Sequence, residues 1–157
     1  MKEVRIRWMI MGRLLSASVL ATALVFGVTG RPAQTPKQGA ARPLSGINFP
    51  PDDDAKCLVD VLENGDPKTG PSTFLMKARP NCVVPAHYHT AEEQLLVVQG
   101  EVSTGMEGMS EMVLGAGGFA MMPSKQVHWF TCTSKDSCLM FVTFDRKYDI
   151  TWVKDKK

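Results

Sequence analysis

Asn81-Cys82-Val83-Val84-Pro85-Ala86-His87-Tyr88-His89-Thr90-Ala91-Glu92-Glu93, continuing through Gln94-Leu95-Leu96-Val97-Val98-Gln99 to Gly100, is the stretch on which the fold turns. The chain has three histidines, and two of them, His87 and His89, stand two residues apart in a run rich in valine. Alternation along a strand puts Val83, Pro85, His87 and His89 on one face, with the two imidazoles roughly 6 to 7 Å apart at the backbone. At that spacing two ring nitrogens can converge on one ion at about 2.1 Å each. A turn between Thr90 and Glu92 would bring the Glu93 carboxylate to the same point, and Glu93, Leu95 and Val97 then share a face. The remaining histidine, His128, is the one side chain of its kind left to complete the set.

Outward from this stretch the chain is a series of short apolar or alternating runs, at 56–63, 73–78, 82–88, 94–99, 101–105, 111–114, 118–122, 127–133, 138–145 and 149–153. Between them lie turn formers: Asn64-Gly65-Asp66-Pro67, Gly70-Pro71, Gly100, Gly115 to Gly118 and Ser134-Lys135-Asp136. No run is long enough for a helix of ordinary length, and eight to ten strands at this spacing predict an all-β sandwich or barrel. Within it, His128, Phe130 and Cys132 share one face of a strand. If Ser134-Lys135-Asp136 is a hairpin tip, Cys138, Met140, Val142 and Phe144 share the same face of the return strand. Phe130, Met140 and Val142 are thereby expected to wall a cavity beside the histidines or to pack in the core next to it. Cys132 and Cys138 face each other across that turn at disulfide distance, leaving Cys57 and Cys82 for each other or free; buried reduced thiols are the alternative.

These residues resemble the cupins, small β-barrel proteins marked by two motifs. The first runs Gly, five residues, His-any-His, three or four residues, Glu, six residues, Gly. Here Asn81 stands at the opening glycine, and His87, His89, Glu93 and Gly100 meet every later position. The second runs Gly, five residues, Pro-any-Gly, two residues, His, three residues, Asn. It is met by Gly117, Pro123 and His128, with Lys125 in place of the turn glycine and Cys132 in place of the asparagine. Sixteen residues separate Gly100 from Gly117, a short insert of the kind found in compact single-domain cupins. The resemblance implies a single cupin β-barrel (double-stranded β-helix, or jelly roll) over residues 55–157, and a metal site of His87, His89, Glu93 and His128. Glu92 is the alternative carboxylate, but the six-residue distance to Gly100 favours Glu93.

Three imidazoles and a carboxylate leave one or two positions open on a divalent ion, where a substrate or dioxygen binds. The donors suit iron, manganese, nickel, copper or zinc, and the family resemblance favours iron or manganese. The expected activity is a metal-dependent oxidoreductase of the dioxygenase type acting on a small molecule. The competing readings are a non-catalytic module that binds a small ligand or metal, and a metal-dependent isomerase or decarboxylase. Outside the metal ligands no acid–base pair is visible, and Tyr88 should face away from the histidines.

The 157 residues carry 18 Lys plus Arg against 16 Asp plus Glu, and a chain of this length leaves room for one domain of ordinary size. The first thirty residues hold Lys2, Arg5, Arg7, Arg13 and Glu3, so the remainder has 14 basic and 15 acidic groups. A body so near neutrality, with no cluster of cations, has no footprint for nucleic acid. The basic start, the uncharged run Leu14 to Gly30 and the small residues Val28-Thr29-Gly30 read as a signal peptide over 1–30, with an uncleaved N-terminal anchor as the alternative. Either places the domain outside the cytoplasm, periplasmic or secreted, with membrane contact only through that segment. Residues 31–54 hold five of the ten prolines and read as a disordered linker, its Asp52-Asp53-Asp54 solvated charge without assigned function. Met106, Met109 and Met112 could bind copper(I), although gap filling is the commoner role. The tail strand at 149–153 offers an edge for a homodimer.

Overall fold

Each alternating run becomes a strand, displaced from its expected bounds by two residues at most, and the ten strands make two sheets. They are β1 (Leu58–Gly65), β2 (Ser72–Ala78), β3 (Val83–Tyr88), β4 (Glu93–Gln99), β5 (Val102–Met106), β6 (Met112–Leu114), β7 (Phe119–Met122), β8 (His128–Cys132), β9 (Cys138–Phe144) and β10 (Thr151–Trp152). The computed structural model describes residues 39–154. The signal-peptide or anchor reading of residues 1–30 and the first part of the linker lie outside the described residues. One sheet runs β1-β2-β9-β4-β7 and the other β10-β3-β8-β5-β6, with neighbours antiparallel throughout.

The inner faces enclose the core, in which Leu95, Val97, Val102, Cys132, Cys138, Met140 and Val142 are almost wholly buried. Burying a side chain of the Leu, Val or Met kind contributes about 1.5–3 kcal/mol, so the alternating residues of β4 and β9 anchor the two layers. Two sheets with this interleaved strand order are a jelly roll.

Two expectations about local geometry change. β8 and β9 belong to different sheets, so Ser134-Lys135-Asp136 is a crossover between layers and no hairpin tip. Cys132 and Cys138 do meet, and their disulfide, with Cα atoms 5.8 Å apart, joins the sheets at the end of the barrel away from the histidines. A second disulfide links Cys57, just before β1, to Cys82, just before β3.

The second change lies in β3. Pairing with β8 runs Val84 to Phe130 and then His87 to His128, three steps on one strand against two on the other. That bulge inserts one residue and reverses the face of everything after it. Val83 and Pro85 therefore point outward, whereas Val84, His87 and His89 point into the barrel. Proline is tolerated there because a bulge leaves its position free of the ladder hydrogen bond it cannot make.

At the chain ends, Thr151 and Trp152 pair with Tyr88 and His87 of their own chain, making β10 an edge strand of the second sheet. Among the described linker residues a single 3-10 turn forms at Leu44–Gly46, and the segment then runs along β1. Pro51 bridges Val59, the Asp60 N–H donates to the Pro50 carbonyl at 3.1 Å, and Arg42 pairs with Glu63 at 2.8 Å.

A candidate metal centre at the barrel mouth

The bulge in β3, the turn at Thr90–Glu92, the first residue of β4 and the first residue of β8 bring His87, His89, Glu93 and His128 together. One ligand atom from each lies within 4.8 Å of all the others, and all four residues are buried. Behind each imidazole stands a backbone carbonyl. Nδ1 of His87 donates to Pro85 O at 2.7 Å, Nδ1 of His128 donates to Gln126 O at 2.8 Å, and Nδ1 of His89 donates to Asp149 O. A carbonyl oxygen can only accept, so Nδ1 carries the proton in all three rings. Nε2 is then the lone-pair atom, aimed at the centre of the cluster.

Distances test whether an ion fits. Two donors at right angles around an ion, each about 2.1 Å from it, stand about 3.0 Å apart. Glu93 Oε2 lies 3.0 Å from His89 Nε2 and 3.1 Å from His128 Nε2, the edge lengths such a coordination polyhedron needs. Burial and the neighbouring His128 push the His87 ring down to about 4, keeping it neutral at neutral pH. Burial also works against charge on His89, but the Glu93 carboxylate outweighs it and raises the ring's pKa. Burial raises Glu93, and the His128 and His89 rings more than reverse this, so the carboxyl stays ionised. A neutral imidazole, an ionised carboxylate and rings fixed from behind make a donor set complementary to a divalent ion.

Three of the four, His87, His89 and Glu93, line a cavity of about 510 Å³. Its apolar walls come from Phe74, Val84, Phe130, Val142, Phe144 and Trp152. Phe130 and Val142 line the cavity, whereas Met140, expected either on the cavity wall or in the core beside it, takes the core position. It is fully buried in the core, because its β4 partner is Val97, four residues inward from the Glu93 to Phe144 pair at the mouth.

Several cavity residues escape sequence reasoning. Tyr148 packs its ring 5.4 Å from His89 and 4.9 Å from Phe144, and its hydroxyl donates to Asp54 at 2.8 Å. Burial and that aspartate raise its pKa far above the ordinary tyrosine value, so it stays protonated. Trp152 sits 5.3 Å from the His87 ring. Asp52, Asp53, Asp54 and Asp60 line the cavity as well. Tyr88 is not a lining residue, consistent with its outward face. The aromatic tail residues were visible as an alternating stretch, but nothing local told where they would dock.

Residues 74–144 match the cupin domain family model. No curated protein sequence matches significantly. Among solved structures, the chain is similar to the polyketide cyclase RemF from Streptomyces resistomycificus, with 15% identity, 76% of this chain and 89% of that chain covered, and a TM-score of 0.63. It is similar to the DMSP lyase DddQ from Ruegeria pomeroyi, with 19% identity, 65% and 54% coverage and a TM-score of 0.57. KdgF from Halomonas sp. aligns with 18% identity, 69% and 96% coverage and a TM-score of 0.57. The alignment spans about half the length of the lyase chain, and at these identities the likeness is one of fold. With two five-stranded sheets, both motif histidine sets gathered at one mouth and the matched domain model, this chain belongs to the cupin superfamily.

Proposed function

We propose that the protein is an exported metal-dependent oxidoreductase of the dioxygenase type, acting on a small molecule that chelates the ion held by His87, His89, Glu93 and His128. The observation that carries this reading is the convergence of three Nε2 atoms and one ionised carboxylate beside a cavity with aromatic and aliphatic walls. When bound, the ion supplies Lewis acidity and, as iron or manganese, a route for electrons to dioxygen. The protein's own residues do the rest. The carbonyls of Pro85, Gln126 and Asp149 hold the rings in orientation, while Phe130, Val142 and Phe144 exclude water and receive an apolar body. Two disulfides accord with an oxidising compartment, which supports the periplasmic or secreted location.

A second reading, metal-assisted elimination, decarboxylation or isomerisation, is favoured by Asp60. Its carboxyl lies in the same cavity, and burial together with Asp52 and Asp53 pushes it up to about 6, the range of a general base. The non-catalytic module is the third outcome. Elemental analysis of the purified protein should find about one equivalent of iron or manganese, lost in both His87→Ala and His128→Ala. Oxygen uptake against diketones and catechols then separates the readings: uptake supports the oxidoreductase, anaerobic turnover the second reading, and neither the binding module. Metal at trace level, or metal retained in both variants, overturns the site.

A further inference from the structure

Resting on the metal-site reading above, we propose that the cavity selects a chelating ligand with an aromatic body and a cationic far end, and that Asp60 is the residue that selects for the positive charge. Asp60 lies on β1 between Leu58 and Leu62, and both it and Leu58 line the cavity, as does its cross-strand partner Met76. It makes no ion pair among the described residues. A carboxylate turned inward on a largely apolar wall, without a cation of its own, is costly unless the ligand brings one. Asp52, Asp53 and Asp54 extend the same wall, against Lys68 and Lys147 as the cationic lining residues. Among the described residues these are four carboxylates to two ammonium groups, and they give a negative potential to the part of the cavity reached across Tyr148, whose ring packs on His89 and whose hydroxyl donates to Asp54.

The remaining walls point the same way. Phe74, Phe144, Tyr148 and Trp152 line the same cavity, and aromatic faces attract an organic cation where they repel a carboxylate. Among the described residues no arginine lines the cavity, so an anionic substituent there meets no bidentate partner. A ligand with one chelating end held at the quartet would therefore be sorted by the charge at its other end.

The test uses three probes that share a chelating ring and differ in distal charge: dopamine, 4-methylcatechol and 3,4-dihydroxyphenylacetate. Each is titrated by calorimetry into zinc-loaded protein under nitrogen, with zinc content measured alongside for the parent and Asp60→Asn. The expected order is cation, neutral, anion, with the cation at least about tenfold tighter than the anion. Asp60→Asn should bring that ratio to within about twofold of unity. Equal affinities, tighter binding of the anion, or an unchanged ratio in Asp60→Asn would overturn the charge selection while leaving the metal site standing. Failure to hold zinc overturns the metal-site reading and the selection with it, whereas zinc held without binding of any probe overturns the selection alone. If Asp60→Asn does not fold, Asp60→Ser is titrated in its place and read by the same cation-to-anion ratio.

Discussion

Orientation of the His89 ring depends on a residue sixty positions later. The Asp149 carbonyl accepts its Nδ1 proton, while the Asp149 carboxylate accepts from the Thr90 backbone N–H at 2.7 Å and the Thr90 hydroxyl at 2.6 Å. Backbone and side chain of one residue thus grip two consecutive residues of the ligand loop. Those bonds to Thr90 outweigh the effect of burial and hold the Asp149 carboxyl below the usual range, so the grip persists at neutral pH. Asp149→Ala removes the side-chain half of it and frees the tail to shift its carbonyl. Loss of such an outer partner typically costs 10–100-fold in metal affinity, and a loss of about tenfold is expected here in competition titrations with a chromophoric chelator. Asp149→Asn, whose amide oxygen still accepts one of the two bonds, should lose less. An affinity unchanged in Asp149→Ala would show that the tail merely covers the site.

Turns carry two of the three departures from the family motifs, the third being Cys132 in β8, and the backbone shows what those two cost. Asn81 and Lys125, which stand where the motifs have glycine, both adopt left-handed conformations, with φ of 59° and 64°. Asparagine tolerates that region; lysine does so only under constraint, supplied here by the Lys125 N–H donating to the His89 carbonyl at 2.8 Å. Lys125→Gly should therefore stabilise the domain by about 0.5–1 kcal/mol, the relieved strain less the extra chain entropy of glycine, read as a higher urea midpoint with unchanged slope. A destabilised variant would mean that the lysine stem itself packs. The strands themselves were legible because period-two alternation and turn residues are local signals, and so were the four donors, whose spacing survives folding. The bulge was not. Val83-Val84-Pro85-Ala86-His87 alternates smoothly on paper, and only the pairing with Phe130 and His128 forces the extra residue and sends Val83 outward.

On the scale of the molecule, the segment before β1 and the segment after β9 meet at the cavity: Tyr148 donates to Asp54 at 2.8 Å. Composition alone marks Pro50 to Asp54 as linker, since proline and aspartate carry no periodicity; the run along β1 is a long-range event that a local pattern cannot encode. It has an electrostatic consequence. Desolvation first, then Asp52 and Asp53, lift Asp60 from 3.8 to about 6. A folded-state pKa above the unfolded value means that the native protein binds the proton more tightly, so this group's contribution is full below about 3.8 and lost as pH rises through 6. Asp66, Asp145 and Asp149 shift the opposite way, so the total pH profile mixes signs, and the difference between parent and Asp60→Asn isolates the one carboxyl. The full shift would correspond to more, but partial exposure screens it, and Asp60→Asn should be more stable than the parent by about 1 kcal/mol at pH 7.5. That advantage should shrink as the pH falls through 6 and disappear below 4 in metal-free urea melts. An advantage that does not depend on pH would assign the effect to packing instead, and would remove the four-aspartate wall as the source of the negative potential in the cavity.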